Sequence, residues 1–518
     1  MFSFPVLIFT ALAGAGTGAA SSTPPSLREC LDGAGIQDYA FPSHPLYSLL
    51  KVKRWNLDID VTPAVVTVPE TAEQIAAIVA CAQERGLKVQ PKSGGHSFGN
   101  YGLGGHDGAV VVDLKKFQHF SMDENTHIAT IGAGTRLGDV TKKLHSHGGR
   151  AMSHGTCPSV GIGGHATIGG LGPTSRQFGS ALDHIEAVIV VLADGTITRA
   201  SWTENKDLFW ALKGAGASFG IITEFVVRTE PAPGNLVQYS FALHHDDKYA
   251  DMADEFKAWQ RMIADPALPR KLASQVVVNQ LGMIVSGTYY GTQEEWESLA
   301  AEHDFFRRHN RKDEYFVLND WLGHMAHLAD EAVLLLGTGQ PTPIYCKSLA
   351  FTNQTLIPDD TIDDLFKYFD DAHKGSPLWF AYFDLEGGAV NDVPPDATAY
   401  AHRDALFYMQ SYVIGLDWGR VSPTSKKFIR GIADTIQKGY PKGEEFGVYA
   451  GYVDPELENG QRRYWGKNLP RLEQVKLKYD PEDVFSNPQS VHPAAVKIEG
   501  MAEGRADGAS ASVSHDEL

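Results

Sequence analysis

The chain has 518 residues, too many for one small domain and enough for two or three. Hydrophobic residues make up 43% and charged residues 21%, which excludes a disordered, collagen-like or disulfide-dense chain. The chain has 45 lysines and arginines and 63 aspartates and glutamates, so its net charge is −18. Because nucleic-acid-binding proteins are usually basic, we expect no nucleic-acid partner.

Both ends of the chain carry targeting signals. Residues 2–13 are mostly apolar and precede Gly18-Ala19-Ala20, which predicts a signal peptide over residues 1–20. No other stretch reaches the roughly 18 continuous apolar residues of a membrane helix, so we expect no membrane span. The chain ends in His515-Asp516-Glu517-Leu518, the HDEL signal read by the retrieval receptor of the endoplasmic reticulum. We expect a protein of the secretory pathway, retained in the endoplasmic reticulum lumen if the HDEL is read and secreted otherwise.

A glycine-rich α/β region follows an N-terminal segment at residues 21–57. Thr71 is a predicted N-cap, and apolar residues at helical spacing continue from it to Arg85, before Gly86. The predicted strands of this region are 63–69, 87–91, 109–113, 128–131, 185–192 and 219–229. Pro231-Ala232-Pro233-Gly234 is a break and marks the first domain boundary.

Beyond that break, glycine becomes rarer while aromatic residues and charged helix formers increase. The predicted helices are 251–263, 293–308 and 361–373, and the predicted strands are 276–278, 282–290, 346–351, 378–385 and 406–413. Strands and helices alternate here without βαβ regularity, which indicates a large antiparallel sheet covered by helices on one side. The whole chain is therefore predicted to be α+β, with a disordered tail over residues 496–518.

The four cysteines are Cys30, Cys81, Cys157 and Cys346. They permit up to two disulfides in an oxidising compartment, and their spacing leaves the pairing open. Because no CxxC pair and no HExxH or HxH cluster occurs, no metal site is predicted. Asn353-Gln354-Thr355 is an N-glycosylation sequence, and we expect a glycan on Asn353 if it is exposed.

Two glycine-rich stretches are candidates for ligand binding. One spans Pro91 to Gly99, and the other runs from His154 to His165 and on to Gly170. Glycine at this density lets the backbone approach a ligand closely and direct several N–H groups at it. Tight turns and bulges are the alternative, but they account poorly for two clusters that are each flanked by histidine or cysteine.

These stretches resemble a known family. Ser93-Gly94-Gly95-His96-Ser97, followed by His154-Gly155-Thr156-Cys157-Pro158, is similar to vanillyl-alcohol-oxidase-type flavoproteins. The closer resemblance is to the berberine-bridge-enzyme-like branch, which includes fungal glucooligosaccharide and chitooligosaccharide oxidases, and it runs from about Cys30 to Pro493. It implies a two-lobed FAD-binding domain over residues 58–232, a substrate-binding domain over 233–448, and a segment over 449–495 that returns to the FAD-binding domain.

The resemblance also implies FAD that is attached twice, through His96 to the 8α-methyl and through Cys157 to C6 of the isoalloxazine. The other expected flavin contacts are Ser93, Gly94, Gly95, Ser97, Gly161, Gly163, Gly164, His165, Gly169, Gly170, Gly220 and Ile221. A Cys30–Cys81 disulfide is implied as well, which leaves Cys346 as a buried free thiol. From the residues alone, His96 as a core histidine and Cys157 as a structural thiol remain the alternatives.

Tyr452 matches the family's base, and Asp384 matches its carboxylate partner. Because the ordinary pKa of tyrosine is about 10, Tyr452 needs help to act as a base near neutral pH, and Asp384 can accept its proton or orient it. The alternative for Tyr452 is an aromatic side chain that packs on the core.

The predicted substrate-binding residues are Trp379, Tyr382 and Gln410, for which core packing is the alternative. Two positions depart from the oligosaccharide oxidases, which carry tyrosine at the place of Phe98 and glutamine at the place of Tyr382. Such changes in a pocket can alter the preferred substrate strongly, because buried polar partners are left unpaired.

The predicted function is FAD-dependent oxidation of the anomeric hydroxyl of a mono- or oligosaccharide to the lactone, with O2 reduced to H2O2. One alternative is a flavin oxidase or dehydrogenase with the same double attachment, which oxidises a secondary-metabolite alcohol or amine and passes the electrons to O2 or to another acceptor. An alternative of another class is a non-catalytic luminal carbohydrate-binding protein.

Overall fold

The computed structural model describes residues 26–243, 248–309, 315–336, 339–416 and 419–495, with the side chains of 333–336 outside that description. The predicted signal peptide, tail and HDEL lie outside the described residues. Within these ranges, no helix is both long and apolar enough to cross a membrane.

The N-terminal half contains two small sheets. Its strands are β1 (Tyr39–Ala40), β2 (Val65–Thr67), β3 (Val89–Lys92), β4 (Val110–Asp113), β5 (Phe120–Met122), β6 (Ala129–Gly132), β7 (Arg150–Ala151), β8 (Ile185–Val191), β9 (Ile197–Ser201), β10 (Ile221–Val227) and β11 (Glu230–Pro231). The first sheet has the order β1-β2-β4-β3, the second is antiparallel with the order β5-β6-β10-β8-β9, and β7 pairs with β11. The helices are α1 (Leu27–Gly33), α2 (Ala72–Gln83), α3 (Leu137–Ser146), α4 (Ile162–His165), α5 (Ser175–Phe178) and α6 (Lys206–Ala215).

Local signals define α2 as predicted. The Thr71 hydroxyl accepts a hydrogen bond from the Gln74 N–H, and Gly86 follows the helix with φ of +64°. A disulfide joins Cys81 of α2 to Cys30 of α1, which confirms the implied pairing. Cys346 is a buried free thiol, also as expected.

The C-terminal half is built on one seven-stranded antiparallel sheet, which confirms the predicted fold class. Its strands are β12 (Leu236–Leu243), β13 (Leu272–Asn279), β14 (Gly282–Tyr289), β15 (Tyr315–Leu318), β16 (Ile344–Thr352), β17 (Trp379–Leu385) and β18 (Ala405–Ile414), in the order β15-β12-β14-β13-β17-β18-β16. Its helices are α7 (Ala253–Ile263), α8 (Gln293–Glu302), α9 (Asp304–His309), α10 (Trp321–Leu336), α11 (Asp359–Asp371), α12 (Pro423–Lys438), α13 (Gly460–Trp465) and α14 (Leu469–Tyr479). The single helix predicted over 293–308 is wrong, because His303 is extended and separates α8 from α9.

The two faces of the large sheet differ in chemistry. On one face, apolar side chains pack against α7, α11 and α12, with Trp259, Phe366 and Phe407 in the core. Side chains alternate along a strand, so the neighbouring positions point to the other face, where Gln275 and Gln410 lie. This second face therefore combines polar side chains with an apolar cluster that includes Val277, Phe380 and Tyr412, against which Phe98 of the N-terminal half packs.

The last described segment packs on the N-terminal half. Val448, Leu472 and Phe485 belong to the same buried cluster as Val110. The C-terminal segment thus passes from the large sheet back to the glycine-rich loops.

Candidate active site

A cavity of about 490 Å³ lies between the second face of the large sheet, which carries Gln275 and Gln410, and the N-terminal half. This volume is within the usual range for cofactor and ligand sites, about 300–1,000 Å³. Its walls come from the loop after β3, the loop before α4, strands β12, β13, β14, β17 and β18, and residues 449–453.

Most of the predicted site residues line this one cavity. On the loop side these are Ser93, Gly94, Gly95, His96, Ser97, Cys157, Gly161, Gly163, Gly164, His165 and Gly220. On the opposite side they are Tyr382, Asp384, Gln410 and Tyr452. In the strand register, Tyr382 lies directly opposite Gln410, and Asp384 lies directly opposite Gln275.

Trp379 was predicted to bind substrate, but it does not line the cavity, so this prediction is wrong. It lies three residues before Tyr382 on β17, so the two side chains point to opposite faces of the sheet. The Trp379 ring is fully buried, stacks on Phe369 and donates a hydrogen bond to Gln280 Oε1. It is a core residue.

Three predicted flavin contacts also lie elsewhere. Ile221 is buried at the start of β10, where Gly220 and Ile222 are the cavity-lining positions. Gly169 and Gly170 lie behind the cavity wall, with φ of +122° and +79°. The Gly170 N–H donates to the Tyr449 hydroxyl at 3.0 Å, so these glycines support a lining residue without lining the cavity themselves.

Glycine is required where the two loops touch. A Cβ on Gly161 would lie 2.1 Å from Ser93 Oγ, and one on Gly94 would lie 2.2 Å from the Gly161 nitrogen. Any side chain at either position would force the loops apart. Glycine at both positions therefore allows the two loops to lie in direct contact and to form one wall of the cavity.

This wall fits an anionic, flat cofactor such as FAD. In the described part of the chain, the N–H groups of Gly94, Gly95, His96 and Ser97 have no hydrogen-bond acceptor, although all four residues line the cavity. Nothing lies within 4 Å of where a Cβ on Gly164 would be, so a ligand has room to approach the backbone there. Unpaired donors beside open space suit a pyrophosphate.

The two candidate attachment residues stand on the two loops. The His96 ring stacks on Trp55 with a centroid distance of 3.6 Å, and burial together with the nearby Arg136 charge lowers its pKa to about 4. Cys157 is half-buried, and its Sγ lies 3.6 Å from Ser159 Oγ. His96 is therefore neutral near physiological pH, as an attacking imidazole must be.

His165 has a structural position between the loops. Its Nε2 accepts a hydrogen bond from the Gly155 N–H at 2.9 Å, and burial lowers its pKa to about 3. The neutral ring thus fixes the backbone two residues before Cys157.

The opposite wall concentrates buried acids and phenols. Burial raises the pKa of Asp384 to about 7. Burial, followed by the Asp384 and Glu386 charges, raises the pKa of Tyr452 well above its usual value. Asp384 is therefore a group on this wall whose charge changes near neutral pH.

Several lining residues were not predicted. Tyr449 accepts hydrogen bonds from the N–H groups of Gly170 and Leu171, and its ring packs edge-on against Tyr452 at 5.1 Å. Its position three residues before Tyr452 was the only available signal. Other unpredicted lining residues are Trp55, Gln238, Gln275, Ser286, Glu331, Tyr464 and Gln489, whose positions depend on the register of the large sheet or on distant segments.

Comparison with known proteins identifies the family. Residues 63–201 match an FAD binding domain, and residues 448–492 match the family described as berberine and berberine like. FAD-linked oxidoreductase sorD of Penicillium rubens is 40% identical over 475 residues, which are 89% of this chain and 96% of that protein. The chain belongs to the berberine-bridge-enzyme-like FAD-linked oxidases.

Solved structures of this family share the whole fold. Glucooligosaccharide oxidase from Acremonium strictum, with a 6-S-cysteinyl, 8α-N1-histidyl FAD, is 33% identical with a TM-score of 0.81, covering 91% of this chain and 100% of that one. Xylooligosaccharide oxidase from Myceliophthora thermophila, in complex with xylobiose, is 33% identical with a TM-score of 0.80. The match covers 91% of this chain and 100% of that one. This berberine-bridge-enzyme-like protein is thus an FAD-linked oxidoreductase.

Proposed function

We propose that the protein oxidises the anomeric hydroxyl of a mono- or oligosaccharide to the lactone and reduces O2 to H2O2. The observation that carries the proposal is the placement of Tyr452 and Asp384 across one cavity from His96 and Cys157. The hydroxyl of Tyr382 and the side-chain amides of Gln410 and Gln275 suit a substrate rich in hydroxyls. Relatives named for gluco- and xylooligosaccharide oxidation support the sugar as substrate class.

The chemistry that FAD supplies when bound is acceptance of a hydride from the substrate carbon and transfer of both electrons to O2. Tyr452 takes the hydroxyl proton, and ionised Asp384 accepts the phenol proton in turn. The two pKa shifts support this order, because a buried phenol is a poor base alone while a carboxyl near pKa 7 can hold the proton. Tyr382, whose hydroxyl donates to Gln275 Oε1, presents lone pairs to the substrate.

Anaerobic rapid mixing tests the assignment. Tyr452→Phe should keep the fold and the flavin but reduce the rate of flavin reduction by about 10²–10⁴-fold, the usual contribution of a positioned base. Asp384→Asn should be impaired in the same half-reaction, while reoxidation by O2 is little changed in both. Wild-type reduction in Tyr452→Phe would remove this residue from the mechanism.

A second candidate is oxidation of a secondary-metabolite alcohol or amine. Phe98 and Tyr382 replace polar residues of the oligosaccharide oxidases, and the relative with 40% identity is named only as an FAD-linked oxidoreductase. A peroxide-coupled screen of sugars, alcohols and amines separates the candidates. Flavin bleaching without peroxide would indicate another electron acceptor.

We further propose that FAD is bound through both His96 and Cys157. Both side chains line the cavity on the two loops that contact each other, and the related glucooligosaccharide oxidase carries such an FAD. Acid-precipitated protein should remain yellow, and His96→Ala should still hold flavin through Cys157. Complete release of flavin from the denatured wild-type protein would contradict double attachment.

A further inference from the structure

Trp55 covers one face of the candidate attachment histidine. The indole and imidazole centroids are 3.6 Å apart, with planes tilted by 26°. Both residues line the cavity. Rotation of the imidazole would break this parallel contact, so the stack restricts the directions in which the ring nitrogens point.

A reciprocal set of hydrogen bonds fixes Trp55 relative to the loop that carries His96. The N–H groups of Trp55 and Asn56 both donate to Asn100 Oδ1, at 3.2 and 3.1 Å. Asn100 Nδ2 donates to the Asn56 carbonyl, and Asn56 Nδ2 donates to the Phe98 carbonyl at 2.7 Å. The indole and the imidazole therefore sit on two segments that cannot shift independently.

The same segment is anchored to the C-terminal half. The Thr342 N–H donates to the Trp55 carbonyl, and the Leu57 N–H donates to the Thr342 carbonyl, both at 3.0 Å. Asn56 Nδ2 also donates to the Ile344 carbonyl at 2.9 Å. The support behind His96 thus comes from both halves of the molecule.

We propose that Trp55 positions the His96 imidazole for covalent attachment of the flavin. This inference rests on the double attachment proposed above. An imidazole nitrogen forms a bond to the 8α carbon, the imidazole N–H and one 8α C–H are broken, and two electrons pass to the isoalloxazine, which takes up the two protons. O2 then removes the two electrons and two protons as H2O2. Small displacements of the nucleophile slow such a step strongly, so the stacked indole accelerates attachment at this one site.

Peptide mapping of the purified holoprotein provides the test. Trp55→Ala should lower the fraction of His96 peptide that carries flavin by about tenfold, since misplacement of a reacting group by about 1 Å can cost up to 10²-fold. The Cys157 peptide should still carry flavin. Trp55→Phe, which keeps an aromatic face, should restore most of the His96 attachment.

Matched variants separate positioning from general destabilisation. Trp202→Ala makes the same truncation at a half-exposed tryptophan of the N-terminal half and should leave both attachments intact. If Trp55→Ala does not fold, Trp55→Leu decides, because it keeps an apolar cover without a ring to stack and should have reduced His96 attachment.

Wild-type His96 attachment in Trp55→Ala or Trp55→Leu would overturn the inference. So would equal loss at His96 and Cys157 without recovery in Trp55→Phe, since that result indicates a scaffold role. Absence of flavin on the His96 peptide of the wild-type protein is a different result, because it overturns the double attachment itself.

Discussion

Asp384 lies on the cavity wall beside Tyr382 and Tyr452, and burial raises its pKa from its ordinary value to about 7. Because the raised pKa means that the folded state holds this proton more tightly, the carboxyl contributes stability below about pH 4 that is lost as pH rises through 7. Only the ionised carboxylate can accept a proton from Tyr452. We therefore expect the contribution of Asp384 to the reaction to increase as pH rises, whereas its contribution to stability decreases.

We predict that the rate of flavin reduction is highest above pH 7 and falls as pH decreases through about 7. In Asp384→Asn this decrease should disappear, together with most of the rate. Rapid-mixing measurements between pH 5 and 9 provide the check. A wild-type rate that is constant across this range would exclude Asp384 as the proton acceptor.

Glu386, two residues later on the same side of the chain, offers a matched comparison. Burial and the Asp384 charge raise the Glu386 pKa well above its usual value, and its Oε2 has no hydrogen-bond partner among the described residues. We therefore expect Glu386 to be neutral, so Glu386→Gln should leave the pH dependence of flavin reduction nearly unchanged. A decrease of the apparent pKa by about one unit, as expected for loss of a like charge, would show instead that Glu386 is ionised.

At the level of elements, alternation along β17 and β18 separates substrate-facing from core residues. Trp379 points to the helices, whereas Tyr382 and Gln410 point to the cavity. Trp379→Phe should destabilise folding by ~1–3 kcal/mol, since a large core side chain is truncated, and leave KM nearly unchanged. Gln410→Ala should raise KM with little loss of stability.

Thermal unfolding and steady-state kinetics of these two variants provide the measurement. An increase of KM in Trp379→Phe as large as that in Gln410→Ala would contradict the assignment of the two faces.

Elements with clear local signals agree with the sequence-based expectations, and others do not. α2 has a threonine cap and a terminating glycine, and both act locally. Among the longer elements, the predicted ones omit β12, α3, α6, α10, α12 and α14. Ser422 caps α12 and Pro423 occupies its first turn, so that helix had a usable signal, whereas α10 is apolar enough to lack a clear periodic face.

At the level of the whole molecule, contacts between the halves hold the cavity walls together. Arg403 donates two hydrogen bonds to Asp183, at 2.8 and 2.9 Å, and both residues are almost fully buried. Arg176 donates to the Leu272 carbonyl at 2.7 Å. Removing one partner of such a buried pair leaves an unpaired charge, so the interface has little tolerance for substitution.

The proposed route through the secretory pathway is also testable on the whole chain. Asn353 is exposed in a turn after β16, where an attached glycan has room. We expect the expressed protein to start near Ser21 and to remain in the endoplasmic reticulum. The variant Asn353→Gln should lack the glycan and therefore migrate faster on a gel than the wild-type protein. Deletion of residues 515–518 should release it into the medium. Equal secretion with and without these residues would show that the signal is not read.

The glycine-rich loops could be recognised from the sequence as candidate ligand sites because each is a short local motif, whereas the roles of Tyr452 and Asp384 came from the family resemblance. His96 and Cys157 are flanked by the glycines that shape their own loops, and Asp384 precedes Glu386-Gly387-Gly388 within a few residues. The disulfide pairing also required the resemblance, since spacing alone left several pairings open.

Which side chains share the cavity was decided by tertiary structure. Trp379 and Tyr382 lie within four residues, yet a period of two places them on opposite faces of the sheet. Trp55 reaches His96 only because the Asn56 and Asn100 side chains join two segments more than 40 positions apart. Tyr449 contacts Gly170 across 279 positions. Contacts of this kind depend on how distant segments pack, and no local pattern encodes them.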